Sequence, residues 1–147
     1  MREIELLIIH CSGTRVDRDI TASDIHSAHR MRGYSSGGYH YFIRKSGQVE
    51  PMRPLQEPGA HARGYNRNSV GVCYEGGLDV NGNAADTRTL QQKVSLVRVI
   101  GELKAKFPDI CVKGHRDLSP DKNYNGIIDP WERITECPCF EVKEEFK

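Results

Sequence analysis

The chain has no apolar run approaching the roughly 20 residues that a membrane-spanning helix needs. Nor does it carry an excess of one charge, since 21 Lys and Arg stand against 20 Asp and Glu. The first absence argues against a membrane protein. The second removes the electrostatic case for nucleic acid or a charged membrane surface as partner. There is no internal repeat, low-complexity stretch or linker, so one domain over residues 1–147 is expected. Neither an HExxH stretch nor a paired CxxC is present, so the strong metal-binding spacings are missing. The cysteines number five. An odd count at irregular spacing makes a poor disulfide scaffold. Cys11, Cys73 and Cys111 sit in or beside apolar strand-like runs and are expected as buried free thiols. The N-terminus "MREIELLIIHCSG" offers no export signal, because Glu3 and Glu5 interrupt its apolar run and no small-residue cleavage site follows. Cytoplasmic synthesis is therefore expected.

What is present suits a compact soluble domain: 37% apolar and 28% charged residues in 147, enough to bury a core without disulfides. "IELLIIH" (4–10) is a continuous apolar run, as in a strand buried on both faces. "DITASDIHSAHRMRGY" (19–34) reads as a helix, N-capped by Thr21 with Asp24 as capping-box partner. "YHYFIRKSGQVEPMR" (39–53) reads as a hairpin turning at Ser46-Gly47. A polar, glycine-bearing loop (56–68) precedes a second buried strand (69–76). From Thr89 to Phe107 an amphipathic helix is predicted, with Leu90, Val94, Val97, Ile100, Leu103 and Phe107 as its inward face. Pro108 stops it. A short strand (109–115) runs into a histidine, and Asp129-Pro130 opens a short helix over 129–136. Strands alternating with helices predict an α/β domain, a central mixed sheet flanked by helices.

Two histidines, His10 and His115, close predicted strands. Strand ends are where a rigid sheet presents functional groups. Two histidines and a cysteine form a known catalytic zinc set with a fourth position open. Cys137 and Cys139, in "TECPCF", are both candidates for the third ligand, and spacing alone does not choose between them.

Several stretches, in chain order, resemble one family: "IIHCSGT" (8–14), "GGYHYFIRKSGQVEPMR" (37–53), "GAHARGYNRNSVGVCYEGG" (59–77), "KGHRDLSP" (113–120) and "CPCF" (137–140). They look like the type-2 N-acetylmuramoyl-L-alanine amidases, which include phage amidase-type lysozymes and peptidoglycan recognition proteins. The resemblance implies a zinc site at the floor of a groove that holds the peptide stem of peptidoglycan. It implies cleavage of the amide between the lactyl group of N-acetylmuramic acid and L-alanine, by a monomer acting at the cell wall, with no nucleic acid or membrane as partner. It places the zinc ligands at His10, His115 and Cys137, leaving Cys139 outside. Tyr39 matches the family's catalytic tyrosine. Thr135 stands where phage lysozymes carry lysine and many recognition-type amidases carry threonine. Cys73 stands where the muropeptide-recycling branch has a glutamate base. His61 and Asn66 are expected to line the substrate groove, and His26, His29 and His40 to serve structure. A non-hydrolytic peptidoglycan-binding module of the same fold is the alternative, although the full ligand set favours an enzyme.

"DKNYNGIIDPWE" (121–132) carries a separate expectation. Read as a twelve-residue calcium loop, it would use Asp121, Asn123, Asn125, the Ile127 carbonyl, Asp129 and Glu132 as ligands, with Gly126 at the sharp turn. The competing reading is a turn at Asn125-Gly126 and a helix capped by Asp129. Bound calcium would fix the segment that carries Thr135 and Cys137.

Overall fold

The structure, a computed structural model, describes residues 1–146. Strand β1 (Leu6–Cys11) is followed by β2 (Thr14–Arg15), helix α1 (Ala22–Met31), β3 (Tyr41–Ile43), β4 (Val49–Pro51), β5 (Ser69–Tyr74), β6 (Gly77–Leu78), α2 (Leu90–Lys106), β7 (Cys111–Gly114) and a terminal turn of helix, α3 (Val142–Glu145). The main sheet runs in the order β4-β3-β5-β1-β7. All its pairs are parallel except the β3–β4 hairpin. The mixed α/β sheet expected from the alternation of elements is therefore present. Among the described residues no helix is long and apolar enough to cross a membrane.

Alternation along β1 explains its continuous apolar run. Leu7, Ile9 and Cys11 point into a core shared with Leu96, Val99, Ile100 and Leu103 of α2. Ile8 and His10 therefore lie on the opposite face. On that second face Ile20, Ala22 and Ile25 of the α1 region close over Phe42 and Cys73. α1 covers only part of it, and the β1–β7 end is left to form a groove.

Helix α1 begins at the residue read as its cap, and α2 at the residue where its apolar pattern was read to start. Thr21 and Asp24 form a reciprocal capping box, as do Thr89 and Gln92. The inward face of α2 differs from expectation, however. Leu90, Val94 and Val97 are 74%, 60% and 62% exposed. Ile100 and Leu103 are buried as expected, but the rest of the buried face is Gln92, Ser95, Leu96 and Val99. The reason is polar. Gln92 Nε2 donates to the carbonyls of Ile43 (3.2 Å) and Glu75 (2.9 Å), and Ser95 Oγ donates to Gly47 O. The Ile43 carbonyl also accepts from Glu75 N (2.9 Å), whereas Glu75 and Gly47 lie just beyond the strands, and these acceptors select the face that carries an amide and a hydroxyl. Cys111 is a second difference. It is exposed, unlike Cys11 and Cys73, because it opens the edge strand β7.

The segment read as a calcium loop is a turn followed by one turn of 3-10 helix at Pro130–Glu132. Its oxygens are engaged by its own N–H groups. The Asp121 carboxylate accepts from the amides of Asn125 (3.3 Å) and Gly126 (2.8 Å). The side-chain amides of Asn123 and Asn125 donate to Asp129 Oδ2 at 2.9 and 3.0 Å. Asn125 Oδ1 accepts from the Ile127 amide, whose residue is exposed. Buried Glu132 accepts from the amides of Lys122 and Asp129. Asp121, Asp129 and Glu132 do not draw together into a metal-capable group among the described residues. The turn at Asn125-Gly126 is present, but the helix expected over 129–136 is only Pro130–Glu132 and the Asp129 carboxylate bonds to the asparagines rather than capping it; calcium at Asp121, Asn123, Asn125, Ile127, Asp129 and Glu132 has no support.

Candidate metal centre

A groove of about 780 Å³ opens at the C-terminal ends of β1 and β7. His10 comes from the fifth position of β1, on the face away from α2. His115 begins the turn of 3-10 helix that follows β7. Parallel pairing of β1 with β7, in the register Ile9↔Gly114, sets the two side by side. Their ring centroids are 4.7 Å apart.

Cys137 reaches the same point from the C-terminal loop, which is tied down at several places. Arg116 N donates to Cys137 O (2.9 Å), and the Tyr74 hydroxyl donates to Pro138 O (2.6 Å). Gly114 makes room for the loop, since a Cβ there would lie 2.9 Å from Pro138 Cδ. The Cys11 amide donates to Cys137 Sγ at 3.1 Å, and His10 Nδ1 lies 3.9 Å from that sulfur. One ligand atom from each of His10, His115 and Cys137 lies within 4.8 Å of the others. Cys139 is outside the group. Its sulfur turns to Gly77 O (3.4 Å) and Cys11 Sγ (3.9 Å).

The donor set suits zinc, whose open catalytic sites use three nitrogen or sulfur ligands. Burial holds His10 well below the usual imidazole range, with His61 and His115 adding to the effect. Burial lowers His115 as well. Both imidazoles are therefore neutral at neutral pH and able to ligate, and the N–H of Cys11 is directed at the Cys137 sulfur.

Tyr39 stands over this group, its ring centroid 5.1 Å from that of His10. Burial raises its hydroxyl well above the ordinary value, and the Cys73 thiol against it adds to the rise, so Tyr39 is a neutral donor. Thr135 lines the groove too, and its Oγ1 accepts from the Cys137 amide at 3.2 Å. His61 and Asn66 line the groove wall, but their polar atoms are turned inward. His61 Nδ1 lies 2.8 Å from His10 Nε2, and its Nε2 lies 3.3 Å from Ser69 Oγ. Asn66 Oδ1 accepts from the amides of His61 and Ala62, both at 3.0 Å.

The remaining histidines brace the surrounding loops. His26 and His29 each accept at Nδ1 from a backbone amide, Gly37 and Gly38 respectively, at 2.8 Å. His40 accepts from Gly71 N at 3.0 Å and donates to Glu57 O at 2.8 Å. His29 also lines the groove, as do Arg32 and Arg63. The two arginines were not legible in the sequence, because balanced overall charge conceals a local pair of cations.

The N-acetylmuramoyl-L-alanine amidase family model matches residues 1–138. The chain is 37% identical to the endolysin of Enterobacteria phage K11 over 135 residues, which is 92% of this chain and 89% of that protein. Among solved structures it is similar to the N-acetylmuramoyl-L-alanine amidase LysC of Clostridium intestinale. That likeness has a TM-score of 0.75 at 30% identity and covers 97% of this chain and 83% of the other. Bumblebee PGRP-SA shares the fold, with a TM-score of 0.74 at 23% identity over 99% of this chain and 81% of the other.

Proposed function

The chain belongs to the N-acetylmuramoyl-L-alanine amidase family, and on that premise we propose that it is a zinc-dependent peptidoglycan amidase. The bond cleaved is the amide between the lactyl group of N-acetylmuramic acid and L-alanine, and residues 1–147 form one amidase domain acting on the cell wall. The observation that carries the reading is the convergence of His10, His115 and Cys137 on the floor of an open groove. Endolysins among the relatives support a wall-degrading role.

His10, His115 and Cys137 would hold the zinc. When bound, zinc supplies a Lewis acid that polarises a carbonyl and lowers the pKa of water to about 7. The neutral Tyr39 hydroxyl would donate a hydrogen bond to the oxyanion that develops as the amide is attacked. Thr135 accepts the Cys137 amide with its oxygen, which leaves its own proton free for the same oxyanion. Neither residue brings a charge. Arg32 and Arg63, exposed on the groove wall, suit a substrate that carries carboxylates. His61 and Asn66 shape that wall.

Purified peptidoglycan digested with and without a chelator, with products weighed by mass spectrometry, tests the reading. Stem peptides released with a free L-alanine amine, and lost on chelation, are expected. Binding without release would leave the non-hydrolytic module instead.

A further inference from the structure

β5 carries a glycine at its third position, Gly71, in ordinary extended backbone. A glycine inside a buried strand weakens it and marks a place where another group comes close. Here that group is His61. A Cβ at Gly71 would lie 2.6 Å from Cδ2, 2.7 Å from Cγ and 2.9 Å from Nδ1 of the His61 ring. Gly59 approaches the same ring from the loop side, where a Cβ would lie 2.5 Å from Cδ2. The imidazole thus occupies a seat between two missing side chains. Asn66 Oδ1 holds the backbone of residues 61 and 62.

Seated there, His61 places Nδ1 2.8 Å from His10 Nε2. One proton is shared by that pair of nitrogens. The other nitrogen of His10, Nδ1, is the one near Cys137 Sγ, and a ligating nitrogen must be bare. The proton of His10 is therefore on Nε2 and is donated to His61 Nδ1. The proton of His61 then lies on its Nε2, which faces Ser69 Oγ. We infer that His61 is a positioning residue: seated on Gly71, it accepts the Nε2–H of His10 and so presents the bare Nδ1 of His10 to the metal. Partners on the far nitrogen of a metal-binding histidine fix its tautomer and ring orientation, and losing them costs about tenfold to a hundredfold in metal affinity or activity. The inference rests on the zinc reading above. It also goes beyond lining the groove, because both ring nitrogens of His61 are engaged inside the protein.

The test is zinc affinity, measured by competition with a chelating dye for the unaltered protein, His61→Ala, His61→Asn and Gly71→Ala. The melting temperature of each protein stripped of metal is recorded alongside. His61→Ala is expected to bind zinc about tenfold to a hundredfold more weakly. His61→Asn, which can place an acceptor oxygen near the former Nδ1, is expected to recover most of that loss. Gly71→Ala, by displacing the ring, is expected to match His61→Ala; should it fail to fold, the two His61 variants carry the test. His61→Ala with unchanged zinc affinity and only a raised KM would make His61 a substrate contact and overturn the inference. Equal weakening in His61→Ala and His61→Asn would also overturn it, because the accepting atom would then be irrelevant. An unaltered protein that binds no zinc would overturn the metal reading itself, a failure distinct from the other two.

Discussion

His40 offers a stability measurement whose size follows from its surroundings. It is fully buried and bridges two parts of the site's support, accepting from Gly71 N of β5 and donating to Glu57 O in the loop that leads to His61. Burial lowers its pKa to about 4, with Arg2 and Arg53 adding and the hydrogen bond to Glu57 opposing. A histidine depressed in the folded state contributes stability that is present above its unfolded value, about 6.5, and lost as pH falls toward the folded value. Between those limits the unfolded chain binds the extra proton. From pKa values of 4 folded and 6.5 unfolded, the loss is about 0.2 kcal/mol at pH 7, about 2 at pH 5 and about 3 at pH 4. For a chain of this length, about 2 kcal/mol corresponds to roughly 4–8 °C in Tm. The assay is thermal unfolding of metal-free protein at pH 7 and pH 5, comparing the unaltered chain with His40→Asn. The variant is expected to be less stable at both pH values, having lost its Glu57 partner, yet to lose about 2 kcal/mol less than the unaltered chain on acidification. Parallel pH slopes in the two proteins would refute the assignment.

Cys137→Ser is expected to lose zinc and hydrolysis, whereas Cys139→Ser keeps about one zinc per chain by elemental analysis, because its sulfur faces Cys11 and Gly77. Tyr39→Phe is expected to lower kcat more than it raises KM, by about a hundredfold to a thousandfold as for other lost oxyanion donors, with a smaller loss in Thr135→Val. On α2, Gln92→Leu removes the side-chain donor to the Glu75 carbonyl and should cost about 1–3 kcal/mol, while Val94→Lys and Val97→Lys stay within about 0.5 kcal/mol by denaturant melts. Millimolar calcium is expected to leave Tm unchanged, and calcium-dependent stabilisation lost in Asp121→Ala would restore the loop reading.

The parts of the fold carried by local chemistry were legible in the sequence. Thr21 and Thr89 cap helices because their hydroxyls can reach the amide three residues on, a relation contained within four residues. The run 4–10 is apolar on both faces because β1 lies inside a parallel sheet with α2 on one side. The α2 face was misread for the opposite reason. Its orientation depends on carbonyls of Ile43, Gly47 and Glu75, which lie 49, 48 and 17 positions from the side chains they bind, and hydrophobic periodicity carries no record of them. Asp121, Asn123 and Asn125 stand at calcium-loop offsets, but the same short polar side chains also close Asx turns on their own backbone. Offset alone does not separate these uses.

The candidate site was legible as residue types and illegible as an arrangement. His10 and His115 end strands, and the β1–β7 register is what brings them together; spacing left Cys137 and Cys139 open, the resemblance favoured Cys137, and sulfur direction agrees with it. The role of Cys73 also becomes concrete in three dimensions. Its thiol, raised by burial, lies against Tyr39. The one carboxylate lining the groove among the described residues is Glu136. It is paired with Arg116 at 3.7 Å and Arg133 at 3.2 Å, the latter across one helical turn's spacing. Its carboxylate is thus engaged by two guanidiniums. Under the amidase reading, proton transfer therefore falls to groups that are neutral at rest: the Tyr39 hydroxyl and the Thr135 hydroxyl. That places the demand for charge stabilisation on the metal and on how firmly its histidines are held.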